Sequence, residues 1–451
     1  MKSLLSVIAF AHITQALPRL ANEFDLFQST HESLIGVSQR TIKCPIQAVS
    51  QSAKPRRPDR NIDAPAVGAQ IPHSPYPSYH ENRPWDYNGW LYFVNITVGT
   101  PPQTFRAAID IGFSDLFVPS INCVGSRSCI PHLHYNSSQS KTYIPNGTAV
   151  HVYYHAFFSS GYASTDTLQI GDLTIENQSF EEATDMRHAY LFWYANQFDS
   201  VLGLPPAEFY PGSERLSATA LRATSPFHNM IKQKLLQKNT FSVRLSQNDS
   251  DDRGELLFGG MNSDLFIEPL HTFALTANYS QGYNKTFWDF SPGWQVAVNS
   301  LALQDHGRTI TYLRIEGYVA AFFTGTAFIG LPRAIAVSLA ERMGVDDGFR
   351  LDCSLREIAP DLVIYLGDKA IPFVLKPEDY IREQPKIPYF GRGSCQLEIV
   401  PWEGPEGDTP SIVLGSVFLA RFYSVFDWDN ATISRKSLRY LRQFHVDLSL
   451  T

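Results

Sequence analysis

The sequence is poor in charge, in cysteine and in long apolar runs, and each shortage argues against a class of protein. Charged residues make up only 18% of the chain, and a net charge of -7 with a pI near 6.0 argues against nucleic acid as a partner. After the first residues, no apolar stretch is long enough to form a transmembrane helix. The chain also has no Gly-x-Ser-x-Gly elbow and no phosphate-binding loop, so those two kinds of site find no support.

The one early apolar run, residues 4–11, follows Lys2 and precedes Thr14-Gln15-Ala16. It is too short to span a bilayer and is typical of a secretory signal peptide, which we predict to be residues 1–16. A buried N-terminal strand is the alternative. The polar end of the chain offers no hydrophobic tail for a lipid anchor. We therefore expect a secreted, extracellular protein.

Secretion makes disulfide bonds plausible for a chain with five cysteines. Cys123 and Cys129 could close a small loop, and Cys353 and Cys395 a larger one. Cys44 is left over and is either removed on processing or kept as a free thiol. Eight asparagines begin an Asn-x-Ser/Thr pattern and are candidate glycosylation sites: Asn95, Asn136, Asn146, Asn177, Asn248, Asn278, Asn284 and Asn430.

The pattern of residue types divides the chain into a leader and a large β-rich region. Residues 17–80 are mixed and then proline-rich, as in a pro-segment followed by a linker, with Arg56-Arg57 as a candidate processing site that Pro58 disfavours. From about residue 90, short alternating or apolar runs predict strands, and helices are expected only at Pro226–Lys238 and Ala334–Met343. We predict an all-β fold with two lobes, residues 81–265 and 266–451.

Two stretches repeat one another and suggest an internal duplication. The first, Ala108–Pro119, contains Asp110-Ile111-Gly112, and the second, Phe322–Pro332, contains Phe323-Thr324-Gly325. When the two glycines are aligned, the closing prolines are aligned as well. A Leu-Gly segment follows each loop, at Gly203 and at Gly415, and the two intervals differ by a single residue. Each half therefore contributes one glycine loop and one Leu-Gly strand.

From about residue 85 onward the chain resembles the pepsin family of aspartic proteases. The family motifs appear here as Gly99-Thr100-Pro101-Pro102-Gln103, the loop at Asp110, Phe198–Leu204, Gly254–Gly260 and Leu414–Leu419, in order and correctly spaced. The resemblance implies a two-lobed fold, an aspartic endopeptidase activity, a peptide substrate in the cleft between the lobes and no cofactor. It also implies the disulfides Cys123–Cys129 and Cys353–Cys395.

In this family two carboxylates, one from each lobe, share a proton and hold a water molecule between them. The resemblance places the first acid at Asp110, but the position of the second acid is held by Phe323. Efficient hydrolysis is therefore unexpected. The loop threonines of the two lobes normally exchange hydrogen bonds, and here Ile111 replaces one of them, which would leave Thr324 without its counterpart.

The flap that closes over substrate in the family corresponds to residues 152–161, whose tyrosine is either Tyr153 or Tyr154. Its usual glycines are replaced by bulkier residues. The aromatic residues of the flap and of the loops predict an apolar cleft, which either binds a ligand or fills the space of the absent water. His132 and His134 have no carboxylate or cysteine cluster beside them, so no metal site is expected.

These observations predict a secreted, glycosylated and monomeric homologue of the pepsin-like proteases. We expect it to bind a peptide or an unfolded protein segment without efficient cleavage. The alternative is an active or weakly active acidic endopeptidase that uses Asp110. A structural protein without any ligand in its cleft is a third interpretation.

Overall fold

The fold is described from a computed structural model of the chain. In it, many of the short apolar and alternating runs of the sequence form strands. The structure describes residues 42–48, 92–125, 128–130, 132–154, 157–187, 198–206, 221, 223–245, 254–267, 269–276, 293–315, 317–345, 349–383, 394–402 and 411–438. Within these ranges the fold is mostly β with a few short helices. The predicted fold class is therefore confirmed.

Eleven strands lie in the first part of the described chain, and most of them bury one or both faces. They are β1 Ile42–Ala48, β2 Tyr92–Val98, β3 Gln103–Asp110, β4 Phe117–Pro119, β5 Ile144–Tyr154, β6 Phe157–Ile170, β7 Leu173–Arg187, β8 Ser200–Gly203, β9 Thr240–Arg244, β10 Gly254–Phe258 and β11 His271–Ala274.

Thirteen further strands follow in the remaining described residues. They are β12 Gln295–Asp305, β13 Arg308–Arg314, β14 Val319–Phe322, β15 Ile329–Pro332, β16 Arg350–Asp352, β17 Asp361–Leu366, β18 Ile371–Leu375, β19 Ile381–Glu383, β20 Ser394–Leu397, β21 Ile399–Trp402, β22 Ser411–Leu414, β23 Phe422–Asp427 and β24 Thr432–Ser437. The α-helices of the described residues are α1 Pro226–Lys232, α2 Arg333–Arg342, α3 Pro377–Tyr380 and α4 Ser416–Leu419.

The strands form three sheets, and one of them joins the two lobes. The largest runs β11-β24-β23-β9-β10-β1-β2-β6-β7-β4, with β3, β5 and β8 attached, and it carries the N-terminal lobe. The C-terminal lobe has an eight-stranded sheet, β18-β17-β12-β14-β22-β15-β21 with β13 attached, and a small sheet β16-β20-β19. Because β23 and β24 return to pair beside β9, the end of the described chain completes a sheet begun by its first half.

The predicted duplication appears in the strand pairing. In the first half, β3 runs parallel to β8 and pairs Ile109 with Leu202; in the second half, β14 runs parallel to β22 and pairs Phe322 with Leu414. Each glycine loop thus begins at the end of a strand, β3 or β14, that pairs in parallel with a Leu-Gly strand, β8 or β22. A Cβ atom on Gly203 would lie 2.4 Å from the Phe113 carbonyl oxygen, and one on Gly415 would lie 2.4 Å from the Phe328 carbonyl oxygen. Only glycine allows the loops to approach this closely.

One continuous apolar core extends from the largest sheet into the eight-stranded sheet of the C-terminal lobe. Trp294, fully buried, lies where the two lobes meet. Its ring packs at 5.7 Å from Phe241 and 5.1 Å from Phe426, centroid to centroid, and its indole N–H donates to the Leu204 carbonyl oxygen at 2.9 Å. A buried indole with a satisfied N–H combines a large apolar area with a fixed orientation. Trp294 therefore connects the end of the first Leu-Gly strand to the second half of the chain.

Both predicted helices are present, α1 from Pro226 as predicted and α2 from Arg333, one residue before its predicted start, but α1 is shorter than expected. The sequence did not predict α3 and α4. Ser225 caps α1, accepting a hydrogen bond from the His228 N–H at 3.4 Å, as the sequence indicates. The helix ends at Lys232 rather than Lys238, because Lys234 adopts a φ of 56° and the backbone N–H of Leu235 turns back to Met230. No helix within the described ranges is long and apolar enough to cross a membrane.

The segment interpreted as pro-segment and linker contributes one strand, which the sequence pattern did not predict. Strand β1 pairs antiparallel with β10 from Ile42 to Ile46 and with β2 at Gln47 and Ala48. It therefore lies between β10 and β2 within the largest sheet. The backbone of Cys44 is part of this strand, while its side chain lies outside the described residues.

Candidate functional site

Asp110, the predicted first acid, lies at the end of a buried strand. Asp110 closes β3, opposite Gly203 in the parallel register, and only 2% of its surface is exposed. Its carboxylate Oδ1 accepts a hydrogen bond from the Gly112 N–H at 2.8 Å, and its carbonyl oxygen accepts one from the Leu204 N–H at 2.9 Å. The carboxylate is thus held within its own glycine turn.

The corresponding position of the second half holds an aromatic ring. Phe323 follows β14 directly, donates its backbone N–H to the Leu414 carbonyl oxygen at 3.2 Å, and is 2% exposed. A Cβ atom built on Gly112 would lie 2.0 Å from ring atom Cε1 and 2.2 Å from Cδ1 of Phe323. The ring of the second loop therefore lies directly against the turn that holds Asp110.

The other side of that ring belongs to a small apolar cluster of the C-terminal lobe. Phe323 packs there with Ala321, Val413 and Trp402, and Phe328 covers the cluster in part. Because the ring is buried, its environment favours the space-filling interpretation for Phe323. Phe113, by contrast, is only partly buried. Sequence reasoning missed Trp402, which ends strand β21 and belongs to no motif.

Thr324 links the two loops, although its expected threonine partner is absent. Its hydroxyl accepts a hydrogen bond from the Ile111 N–H at 3.1 Å and donates one to the Ile109 carbonyl oxygen at 2.7 Å. The counterpart threonine is absent, as the sequence shows, but the Thr324 hydroxyl still has backbone partners in the first loop. The Ile111 side chain is fully buried in the apolar core. Gly325 continues the loop and is also buried.

The stretch predicted to be the flap forms parts of strands β5 and β6. Both candidates for the flap tyrosine lie at the end of β5. Strands β5 and β6 pair antiparallel up to Tyr154 opposite Phe157, with Tyr153 opposite Phe158. Residues 155 and 156, and the side chains of 153–157, lie outside the described residues. Which of Tyr153 and Tyr154 corresponds to the flap tyrosine therefore stays open.

Two further carboxyl groups are buried below the flap strands, and sequence reasoning missed both. The Ser159 hydroxyl on β6 donates to the Glu181 carboxylate on β7, and Asp115 follows the first glycine loop. Burial raises the pKa of Asp115 to about 7, although a hydrogen bond with Ser114 acts against it. Burial also raises the pKa of Glu181 to about 8, and the nearby charge of Asp115 raises it further. An acid in the middle of a buried strand is the signal that could have identified Glu181.

Other buried acids of the N-terminal lobe form hydrogen bonds with neighbouring side chains. Three carboxylates accept hydrogen bonds from hydroxyl or guanidinium groups: Asp166 from Tyr135, Glu182 from Ser120, and Asp199 from Arg106. Among the described residues, no group of three or more His, Cys, Asp and Glu side chains is arranged to hold a metal ion. His132 lies 3.5 Å from the Asp199 carboxylate, and the His134 ring lies 2.9 Å from the Cys129 carbonyl oxygen.

Both disulfides implied by the resemblance are present. Cys123 is bonded to Cys129 and Cys353 to Cys395, with Cα–Cα distances of 6.0 and 5.0 Å. Of the eight candidate glycosylation sites, Asn146, Asn177 and Asn430 are exposed, Asn95 and Asn136 are half-buried, and Asn248, Asn278 and Asn284 lie outside the described residues. Glycosylation itself stays a prediction.

Sequence comparison with known proteins finds matches among aspartyl proteases. The model of the family described as "Eukaryotic aspartyl protease" matches residues 91–437. Vacuolar protease A of Neurospora crassa is 34% identical over 346 residues, which cover 76% of this chain and 77% of that protein. Cathepsin D of Chionodraco hamatus is 32% identical over 344 residues, covering 75% and 78%. The matched strands, paired glycine loops and disulfides lead to one conclusion: this chain belongs to the eukaryotic aspartyl protease family.

Proposed function

We propose that this family member holds a peptide or an unfolded protein segment between its lobes and cleaves it poorly or not at all. The observation that carries the proposal is the contact of the Phe323 ring with Gly112, at the position of the second acid. A phenyl ring can neither accept nor donate a proton. It therefore cannot share a proton with Asp110 or activate a water molecule.

The expected loss of rate is large. Proton transfer by one positioned group contributes about 10²–10⁴ in rate. Groups that act as a unit are strongly non-additive, so that removing one member can cost about as much as removing the set. Asp110 alone is thus a poor substitute for a pair of acids.

Binding depends on parts of the molecule other than the second acid. The loops are still joined through Thr324, both parallel strand pairs are present, and the flap strands extend to Tyr154 and Phe157. An extended segment is recognised mainly through backbone hydrogen bonds and side-chain pockets. A scaffold that keeps these parts supports a binding role.

The second candidate is an active acidic endopeptidase that uses Asp110 with a water molecule or another carboxylate. The comparisons support this candidate more directly than they support binding without cleavage. The relatives carry names such as vacuolar protease A and cathepsin D, and the family is named after its protease activity. The geometry at Phe323 is the specific observation against it.

Hydrolysis and binding of unfolded casein separate the two candidates. The purified mature chain and its Asp110→Asn variant are compared across acidic pH, with and without pepstatin. We expect saturable binding of casein to both forms and little hydrolysis by either. Pepstatin-sensitive hydrolysis that depends on Asp110 would establish the endopeptidase, and absence of both binding and hydrolysis would contradict both candidates.

We further propose that the protein passes through the secretory pathway. Two disulfides are consistent with an oxidising compartment, and several relatives are named vacuolar proteases. Export from the cell and delivery to a vacuole are distinguished by locating a tagged chain in culture medium and in cell fractions. An unprocessed chain confined to the cytosol would contradict the proposal.

A further inference from the structure

Two buried carboxyl groups, which we call the carboxyl pair, lie where the first glycine loop meets the stretch predicted to be the flap. Asp115 follows that loop and is 5% exposed, and Glu181 lies on β7 and is fully buried. The Glu181 N–H donates to the Leu116 carbonyl oxygen at 2.9 Å, and the Glu181 carboxylate accepts a hydrogen bond from the Ser159 hydroxyl on β6. The carboxyl pair therefore connects the loop that begins at Asp110 to a flap strand.

The surroundings of the carboxyl pair are unsuited to negative charge. The strand partners of Glu181 are Phe117 on β4 and Ala163 on β6. Phe117 and Val152, the strand partner of Ser159, belong to one buried apolar cluster, against which Ala163 packs. One oxygen of Glu181, Oε1, has no hydrogen-bond partner. No cationic side chain of the described residues affects the pKa of either carboxyl group. Ionising the pair in this site is therefore costly.

The other titratable side chains described on β5, β6, β7 and α1 leave the charge of the pair unbalanced. Several have a polar or aromatic partner of their own: Glu182 with Ser120, Asp166 with Tyr135, His151 with Phe158, and His228 with Ser225. Others are partly or fully exposed: Tyr162, Glu176, Asp185 and Lys232. In the first loop, the Asp110 carboxylate is bonded to the Gly112 N–H.

We propose that the carboxyl pair holds the flap strands against the first loop while it is protonated and releases them as it ionises, so that the cleft retains its peptide in acid and frees it near neutral pH. In the closed form two negative charges would share one apolar site, whereas opening admits water to both groups. The peptide in this proposal rests on the proposed function, but the motion does not.

The direction of the pH dependence follows from the two carboxyl groups. The pKa of Asp115 is about 7 and that of Glu181 about 8 when they are buried, against ordinary values of 3.8 and 4.5. The closed form therefore binds more protons than an open form in which both groups are hydrated. Its advantage is complete below about pH 4 and is lost progressively up to about pH 8.

Hydrogen exchange of the full chain at about pH 5 and about pH 7.5, corrected for the intrinsic pH dependence of exchange, tests the motion without a ligand. We expect the amides of residues 158–163 in β6 to lose at least about tenfold in protection at the higher pH, since one such group contributes up to about tenfold per pH unit. The amides of β14 and β22 should keep their protection, because opening is local.

Three single variants assign the motion to the carboxyl pair. Glu181→Gln and Asp115→Asn each remove one ionisable group with little change of shape, and each should keep most of the β6 protection at about pH 7.5. The matched control is Glu182→Gln, which changes the neighbouring buried acid bonded to Ser120. It should open as the parent does. Circular dichroism at each pH establishes that the compared proteins are folded.

Binding of a peptide with blocked ends and no titratable side chain, selected at about pH 5, tests release from the cleft. The measurement uses the Asp110→Asn background, so that neither cleavage nor titration of Asp110 contributes. We expect the affinity to be at least about tenfold weaker at about pH 7.5 than at about pH 5. Adding Glu181→Gln should remove most of that difference.

Four results would overturn the proposal. Protection of β6 that is equal at both pH values is one, and equal opening in Glu181→Gln and Glu182→Gln is another. A joint loss of protection in β6 and β14 would assign the effect to global unfolding. Peptide affinity that stays constant while β6 opens would separate the flap strands from retention of the peptide. A chain that binds no peptide at either pH contradicts the proposed function instead, and the exchange data still decide whether the pair opens the flap.

Discussion

Ile111 and Thr324, which lie in opposite halves of the chain, are joined by a hydrogen bond of 3.1 Å from a backbone N–H to a hydroxyl. The same hydroxyl reaches Ile109, so one side chain from the second loop binds two backbone groups of the first. The two loops are therefore fixed relative to each other without the usual second threonine. The framework of a two-acid site is present even though one acid is not.

Restoring the second acid should restore turnover. The variant Phe323→Asp/Ile111→Thr places a carboxyl group beside the Gly112 turn and removes the ring, which leaves room for water. We expect hydrolysis of unfolded casein at acidic pH to rise by about 10²–10⁴ over the parent chain. The measurement is the initial rate with and without pepstatin.

The matched control for that experiment is Phe323→Asn/Ile111→Thr, which has nearly the same shape and no carboxyl group. It should remain as inactive as the parent. Equal rates for the two double variants would show that the ring at position 323 is not what limits hydrolysis.

Substituting Gly112 should destabilise the fold through the Phe323 ring. Gly112→Ala places a Cβ where ring atom Cε1 is 2.0 Å away, so either the ring or the loop must move. Overpacking of this kind typically costs about 1–3 kcal/mol in free energy of unfolding. Urea denaturation measures the change.

Gly125→Ala is the matched control, since a Cβ there would meet nothing within 4 Å. It should change the stability little. In the background of Phe323→Ala, the cost of Gly112→Ala should largely disappear. A cost that persists without the ring would mean that backbone conformation, rather than contact with Phe323, requires glycine at this position.

Removing the Thr324 hydroxyl should weaken the link between the loops. Thr324→Val leaves the Ile111 N–H and the Ile109 carbonyl oxygen without this partner in a buried site, at a cost of about 1–3 kcal/mol. Thr324→Ser keeps the hydroxyl and should retain most of the stability. A loss of stability in Thr324→Ser as large as that in Thr324→Val, measured by thermal unfolding, would contradict the assignment of the effect to the hydroxyl.

The protein should be most stable in mildly acidic solution. The pKa values of Asp115 and Glu181 lie at about 7 and about 8 in the folded state, above the ordinary 3.8 and 4.5, so the folded state binds more protons than the unfolded state between these limits. The free energy of unfolding should therefore fall as the pH rises from about 4 to about 8.

Asp199 has the opposite effect on stability, and it acts at the acidic end of the pH range. Its burial would raise its pKa, but His132 and Arg106 outweigh that effect and lower the pKa to about 2. Its contribution to stability is complete above the ordinary value of 3.8 and is lost as the pH falls towards 2. Thermal melting from about pH 2 to about pH 8 measures both changes in stability, the one above pH 4 and the one below it. Glu181→Gln should flatten only the limb above pH 4, and an unchanged slope there would contradict the assignment.

Local sequence signals predicted much of the fold. Alternating and apolar runs located most of the strands that the structure describes, and Ser225 with Pro226 identified the start of α1, because these signals act between neighbouring residues. The end of α1 was missed, since Lys234 adopts a backbone conformation that its own side chain does not favour. Strand β1 was missed because its partners β10 and β2 are distant in sequence, and pairing with them outweighs its weak local pattern.

The sequence by itself determined the family, the duplicated loops and the replacement of an acid by Phe323, because each of these is written in residue type and spacing. The family resemblance in turn implied the two disulfides. Only the tertiary structure decided what that replacement does. It brings the ring of Phe323 onto Gly112, lets the backbone of Ile111 satisfy Thr324, and buries Asp115 and Glu181 under the flap strands. These relationships depend on approach distances and on exclusion of water, and both arise only when segments far apart in the chain pack together.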